Sequence, residues 1–439
     1  MYSDKPNIIH TPPGPKSLKK IERWKVSSTK NPGLAVFKEA KGIFIKDIDD
    51  NIYIDFSNQN INVGYNNGHV RESIKKQLDK TSVNNLPGIT PAHINIIEKI
   101  KQIAPKGLRD GKYYFCYTGS EACEYAMELS RAYTERQILL AYLGGHYGWT
   151  IGALSLTADG ARNRRFCRPL VPEVTHIPYP YCYRCPFGQE KENCHLYCID
   201  YIKNIFNTLS HPDDIASLFI EPIQQVGGVV IPPDNYMKEI NKICKENGIL
   251  FTVDEVATGF GRTGKMFGID HFDVESDMIF LGKSFGDGLQ MAGILAKKEI
   301  MEKEKEVPLA RKRPLLPTIS ALAMIEELES KKLLKNAETN GKYIIQNLLE
   351  LSEKYDIIGD VRGKGYLIGV ELIKNNKKEP AIKETEYLIE ESFKNGILLG
   401  KIGQYKNVIR LTPPLITNQD QCNTVLNILE SILKKIKRR

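Results

Sequence analysis

Long apolar runs are missing from this chain. None of its 439 residues lies in a stretch near the ~20 apolar residues that a membrane-spanning helix needs, so no membrane role is expected. Also missing is any basic segment interleaved with aromatic residues, the pattern of a nucleic-acid surface. The net charge of +8 invites that reading, yet the lysines are scattered among glutamates in helical patterns. The one dense basic cluster, Lys434 to Arg439, ends a helix, where cations suit the dipole. No nucleic-acid partner is expected. No internal repeat or low-complexity tract is present. Residues Met1 to Asn7 lack the basic start and apolar core of a secretory leader, and a cytoplasmic protein is expected. What remains is an ordinary soluble composition, 41% hydrophobic and 26% charged, in a chain long enough for two domains.

The stretch from Ile249 to Lys283 organises the rest. Two short apolar runs, bounded by turn residues, read as buried strands. Asp254 ends the first and Lys283 the second. In open α/β sheets ligands bind at the carboxyl ends of strands, so both side chains would open into one crevice. An acid and a lysine meeting there suit pyridoxal phosphate: the lysine joins the cofactor aldehyde, and the carboxylate pairs with the protonated ring nitrogen. A turn acid and a solvated lysine would give the same two residues alone, so other signals are needed.

Those signals come in chain order. Residues 43–48 and 52–56 alternate apolar and polar around Asp49, Asp50 and Asn51, as a β-hairpin does. Residues 113–117 read as a strand that runs into Thr118, Gly119, Ser120 and Glu121, a capping-box spacing that opens a helix. Free backbone N–H groups at such a start bind phosphate. The next strand, 138–143, ends in His146 and Tyr147 between glycines, either of which could lie flat on a planar ring. Gly259 to Gly264 matches the dinucleotide fingerprint in form, but it begins five residues past its strand and opens no long helix, so it reads as a tight loop. Residues 301–317, charged and then Pro-rich, read as a linker or mobile loop before a helix at 321–328. Arg410 stands at the end of the strand 408–411, where it could hold a carboxylate bidentately.

Five of the nine cysteines fall between Arg162 and Asp200. Cys182, Cys185, Cys194 and Cys198 read C-x2-C-x8-C-x3-C in a Pro- and Tyr-rich stretch. Structural zinc, one or two disulfides, and free thiols all stay open.

Together the string from Asp254 to Gly264, with Leu281, Gly282 and Lys283 downstream, resembles the class III (ω-amino-acid type) aminotransferases of PLP fold type I. The resemblance continues at 118–122, 221–224, 360–365 and 409–415, and covers about residues 12 to 430. It implies an α/β chain: a large doubly wound domain with a mostly parallel sheet, plus a small α+β domain formed by both termini. The corresponding division is 1–65, 66–315 (with 162–200 a cysteine-rich insertion) and 316–439. It also implies a homodimer with its sites at the subunit interface. Lys283 would form the Schiff base and move the substrate proton, Asp254 would hold the ring nitrogen's proton, and Val256 would pack beneath the ring. Gly119 and Ser120 would hold the phosphate, and Arg410 a substrate carboxylate.

Four departures from the family pattern stand out. The stacking loop reads His146-Tyr147-Gly148 instead of an aromatic before His-Gly. Ala257 replaces the glutamine that bonds the cofactor 3′-oxygen in many relatives, and Val226 replaces a switch glutamate. Ala310 and Arg313-Pro314 stand where a Thr and a Gly-Asn-Pro usually reach the partner's phosphate, with Arg311, Lys312 and Arg313 as replacement charges. The expected reaction is transamination from an α- or ω-amino acid to a 2-oxo acid. The alternatives are an amino-acid racemase or epimerase of the same family, and a non-catalytic relative with weakened cofactor binding.

Overall fold

The computed structural model describes residues 5–28, 33–81, 86–307 and 313–437. Its centre is a seven-stranded sheet built from β-branched and aromatic runs. In chain order, β1 to β3 are Phe37–Lys41, Phe44–Asp47 and Ile52–Asp55, and β4 to β7 are Lys112–Cys116, Ile138–Tyr142, Val174–Ile177 and Ile215–Ile220. Then follow β8 (Leu250–Asp254), β9 (Met278–Leu281), β10 (Ala292–Ala296), β11 (Ile358–Lys364) and β12 (Leu367–Leu372). The last three are β13 (Ile397–Leu398), β14 (Gly400–Ile402) and β15 (Val408–Leu411).

The large sheet has the order β4-β10-β9-β8-β7-β5-β6. The pairs from β9 through β8, β7 and β5 to β6 are parallel, and β10 alone runs antiparallel to both its neighbours. The central strands are buried along their whole length, as a sheet covered by helices on both faces requires. Leu139, Ala141, Phe219, Met278 and Phe280 face the helix Gly119–Thr134, through Ala122, Cys123, Ala126 and Leu129. The alternate residues Leu140, Leu218, Phe251 and Ile279 pack with Met237, Ile240 and Cys244 of the helix Tyr236–Glu246. This is the doubly wound, mostly parallel arrangement expected.

Two four-stranded sheets complete the fold. The β2–β3 hairpin forms where expected, and β1 extends it. The short β13 crosses from the C-terminal region to pair in parallel with β3, so both ends of the chain share one sheet. The order β11-β12-β15-β14 makes the second, antiparallel sheet.

The stretch 301–317 is not a simple linker. Met301 ends the short helix Lys298–Met301 and is buried under Tyr125, and a 3-10 segment Glu302–Glu306 follows. The next helix, Leu315–Ser330, begins six residues before the expected start. Pro317 lies in its first turn, where a missing N–H and a preset φ do no harm. Ala310, Arg311 and Lys312 lie outside the described residues. Arg313 donates from Nη1 to the Pro87 carbonyl (3.3 Å).

Three backbone segments cross within van der Waals contact. A Cβ on Gly341, inside the helix Leu333–Lys354, would lie 2.1 Å from the Gly365 carbonyl oxygen. One on Gly365 (φ +53°) would lie 2.3 Å from the Thr263 carbonyl carbon. The Tyr366 N–H donates to the Arg262 carbonyl (2.9 Å) and closes the crossing. Helix propensity alone makes Gly341→Ala stabilising by about 1 kcal/mol. The crossing reverses the sign, and urea denaturation of Gly341→Ala should show a loss of about 2–3 kcal/mol. An unchanged or raised midpoint would mean that the crossing carries no constraint.

Candidate active site

Lys283 follows β9 after Gly282, in a left-handed backbone conformation (φ +47°). Its Nζ donates to Gln59 Oε1 (3.0 Å) and Gln225 Oε1 (3.5 Å). Both acceptors are neutral amides, so they do not hold a charge on the amine as a carboxylate would. Burial is the largest influence and lowers the amine pKa to about 8. Asp254 pulls it back upward, Arg410 pushes it down, and Glu221 and Arg262 act more weakly in opposite senses. A lysine in this range is a competent nucleophile and proton carrier near neutral pH.

Asp254 ends β8 and is buried, with Oδ1 accepting from the Val256 N–H (2.8 Å). Burial, and then the neighbouring Glu221, push its carboxyl well above the usual range. An acid in that state gains most when a cationic N–H is brought to it. Glu221, raised chiefly by its own burial, accepts from the N–H groups of His146 (3.0 Å) and Gln225 (3.0 Å). It ties the loop after β5 to the loop after β7.

The floor and one end of the cleft are set by small residues. A Cβ on Gly119 or Gly282 would come within 3.3 or 3.4 Å of the Val256 methyls, so Val256 is packed between two glycines. Thr118 caps the helix Gly119–Thr134 by accepting from the Glu121 N–H (3.2 Å). Glu121 reaches back to the Tyr117 N–H (2.8 Å), one residue further than the expected box. The first helical residues, Gly119 and Ser120, lie at the open N-terminal end of the ladder, beside the cleft. Ser120 Oγ accepts from the Trp149 N–H (3.0 Å), and Gly148 (φ +148°) is needed because a Cβ there would meet that oxygen at 2.3 Å.

His146 and Tyr147 part company. Tyr147 is 3% exposed, packs in the core against Phe219, and donates its hydroxyl to the Phe219 carbonyl (2.9 Å). His146 stays on the cleft side, with Nδ1 at 3.0 Å from Asp159 and its ring 5.0 Å from that of Trp149. Both residues line the cleft, Tyr147 with its ring packed into the core and His146 with its ring held between Asp159 and Trp149.

Lys283, Asp254, Val256, Gly119, Ser120 and His146 therefore line one cleft, together with Gln225, Glu221 and Ala257. Arg410 lies outside that lining, on β15, and influences Lys283 through its charge. Its Nη2 donates to the Ser57 carbonyl (2.6 Å), while the buried Nε has no partner. Burial lowers its pKa to about 10, and among the described residues no carboxylate forms an ion pair with it. Gln59 and Gln225 were not singled out from the sequence. Gln59 sits 224 positions from the lysine it contacts and carries no local signal.

The cysteine expectation needs correction. Cys182, Cys185, Cys194 and Cys198 line a small hollow with Pro186, Phe187, Leu196 and Pro233, all as free thiols. Among the described residues no group of three or more His, Cys, Asp or Glu is placed to hold a metal. Zinc is therefore unsupported, and no disulfide is formed. Burial in this hollow raises the Cys182 thiol, and raises Cys198 to about 12. The loop instead acts as a clamp. Tyr181 and Arg184 donate to the buried Glu371 of β12, which also pairs with Arg362 (2.9 Å). Burial works against the Glu371 charge, but Arg362 and the two donors outweigh it and hold the carboxyl below its usual range. Arg362 in turn donates to the Gly228 carbonyl (2.7 Å), close to the strand-end loop that carries Gln225.

Comparison with known proteins decides the family. The model of the family described as Aminotransferase class-III matches residues 26–433. The chain belongs to the class III aminotransferase family. It is 39% identical over 406 residues to a leucine/methionine racemase from Thermococcus litoralis, covering 91% of this chain and 90% of that one. It is 36% identical over 444 residues to an alanine/serine racemase from Pyrococcus horikoshii, covering 98% and 93%. Relatives named as aminotransferases match at 30–32%. A transaminase structure from the marine bacterium Virgibacillus superposes with a TM-score of 0.86 at 26% identity, covering 96% of this chain and 99% of that one.

Enzymes of the class III aminotransferase family depend on pyridoxal phosphate, and the residues present fit it. The cleft offers an amine of lowered pKa, a buried acid whose carboxyl is pushed above its usual range, a glycine-flanked floor and an open helix N-terminus. It also holds a buried amide donor, Gln225 Nε2, with no partner. Only neutral Nζ attacks a carbonyl, so uptake of pyridoxal phosphate by the apo protein should quicken as pH rises through about 8. Arg410→Met removes a cation that depresses the lysine, so the midpoint should move to higher pH. Stopped-flow uptake rates across pH check this. A midpoint that stays put or moves down would contradict the electrostatic account of Lys283.

Proposed function

We propose that this chain is a pyridoxal-phosphate enzyme that exchanges the α-proton of a carboxylate-bearing amino acid, with racemisation or epimerisation as the net reaction. The observation that carries this is Arg410: a buried guanidinium with a free Nε that, among the described residues, forms no ion pair and is supported only by the charge of Asp55 without direct contact. An unpaired buried charge is costly, and a substrate carboxylate relieves the cost. A transaminase that alternates between a simple amine and an oxo acid has to hide such an arginine in one half-reaction, and Val226 offers no acid for that. A racemase keeps one carboxylate in place throughout. Relatives named as racemases, at 36–39% identity over most of the chain, support the same outcome.

When bound, the cofactor supplies a carbonyl for the amine and a ring that accepts the electron pair released at the α-carbon. The chain's residues do the rest. Lys283 Nζ would take the α-proton from one face of the α-carbon, and racemisation requires a proton to return to the opposite face. Asp254 would hold the proton on the ring nitrogen, which would keep the ring electron-poor. Gly119 and Ser120 would hold the phosphate with N–H groups and a hydroxyl, and His146 would meet the ring. Arg410 orients the carboxylate, which sets the α C–H bond toward the lysine.

One observation favours a second outcome. Among the described residues Lys283 is the only amine lining the cleft, and a single base that shuttles a proton suits transamination between two α-carboxylate substrates. Incubation of the loaded enzyme with one enantiomer of an aliphatic amino acid in D2O separates the two. Racemisation predicts α-deuteration and appearance of the opposite enantiomer without any oxo acid. Arg410→Lys should slow the exchange about tenfold at low amino-acid concentration, since lysine cannot copy the guanidinium fork. α-Deuteration with the starting enantiomer retained, and net amino transfer once a 2-oxo acid is added, would favour transamination, and no exchange in either case would remove both.

A further inference from the structure

Gln225 is 1% exposed and lines the cleft beside Lys283, yet its side-chain Nε2 has no hydrogen-bond partner. The orientation of the amide follows from its neighbour. A lysine only donates, so the oxygen Oε1 is the atom that faces Lys283 Nζ (3.5 Å), and the NH2 group faces away from it. A buried amide N–H2 left unpaired costs about 1–3 kcal/mol, so its place calls for a ligand acceptor. The backbone holds it there: the Gln225 N–H donates to Glu221 Oε2 (3.0 Å), and its carbonyl accepts from the N–H groups of Gly228 (3.1 Å) and Val229 (3.0 Å).

The chemistry of the cofactor identifies the acceptor. Pyridoxal carries its aldehyde and its ring hydroxyl on adjacent carbons. Whatever brings the aldehyde carbon to Lys283 Nζ therefore brings the ring hydroxyl within a few ångströms of the same nitrogen. A side chain already bonded to Nζ, with a free donor on its other amide atom, spans that gap. Ala257, in the same cleft, has no group to compete for the role. We infer that Gln225 Nε2 donates to the ring hydroxyl oxygen of bound pyridoxal phosphate, and thereby stabilises its ionised form. This rests on the cofactor reading proposed above. It makes Gln225 a positioning residue whose effect is felt in cofactor affinity and in the acidity of the bound chromophore.

Two variants of the full chain test it, with apo protein titrated by pyridoxal phosphate and the bound absorbance followed across pH. Gln225→Met keeps the volume and removes the donor. Cofactor affinity should fall about tenfold, as for one lost charge-assisted bond, and the pH of the colour change should rise by about one unit. Gln225→Glu keeps an acceptor for Lys283 but offers no donor, so it should be at least as impaired. The thermal midpoints of the apo variants should match wild type. If Gln225→Met loads and titrates like wild type, or if Gln225→Glu restores wild-type behaviour, the donor role is wrong. A change confined to KM for the amino acid would also overturn it, by placing the amide on the substrate. If the wild-type chain takes up no cofactor, the active-site reading itself fails, and the role of Gln225 fails with it.

Discussion

The structure depends on an amine and a carboxylate held out of water at the ends of neighbouring strands. Burial alone would neutralise both, and it does move Lys283 down and Asp254 up. Neither group is paired tightly enough to be quenched. Lys283 rests on two amide oxygens, and Asp254 on one backbone N–H. Each is thus left ready for a partner that brings a carbonyl to one and a cationic N–H to the other. The parallel sheet makes this possible, because β8 and β9 run side by side and their carboxyl ends open at the same edge.

Much of the surrounding architecture serves to keep that edge rigid. The glycine crossing of Thr263, Gly341 and Gly365 locks the loop after β8 to the C-terminal helix and sheet. Arg262, itself 1% exposed, adds donors to Asn62 and to the Pro413 carbonyl, joining segments from both ends of the chain. On the other flank the Cys-rich loop is pinned through Tyr181 and Arg184 to Glu371, and Arg362 carries the connection to Gly228. These contacts link the loop bearing Gln225, the loop after β8 and the strand bearing Arg410. A cleft assembled from three parts of the chain can then hold its donors within the sub-ångström tolerance that catalysis needs.

Local signals made half of the site legible. A strand that ends in Asp254, a strand followed by Lys283, and a capped glycine start at 118–120 each depend on a few consecutive residues, so the sequence states them directly. The β2–β3 hairpin and the strand at 408–411 are local in the same way. The choice between His146 and Tyr147 is not, because it turns on which ring the core beneath Phe219 accepts. Gln59 and Gln225 meet Lys283 only through the fold, and β13 joins β3 across most of the chain. The spacing of the four cysteines fixes their distance along the chain but not where their thiols point. Pro317 looked like part of a linker because proline breaks helix interiors; in a first turn it breaks nothing.

Every functional statement returns to one covalent position. Native protein loaded with pyridoxal phosphate, reduced with borohydride, digested and analysed by peptide mass spectrometry reports that position directly. The account predicts a single phosphopyridoxyl modification, on Lys283, even though lysine and arginine together number 61 in the chain. Modification of another lysine, or a scatter over several with Lys283 untouched, would contradict it.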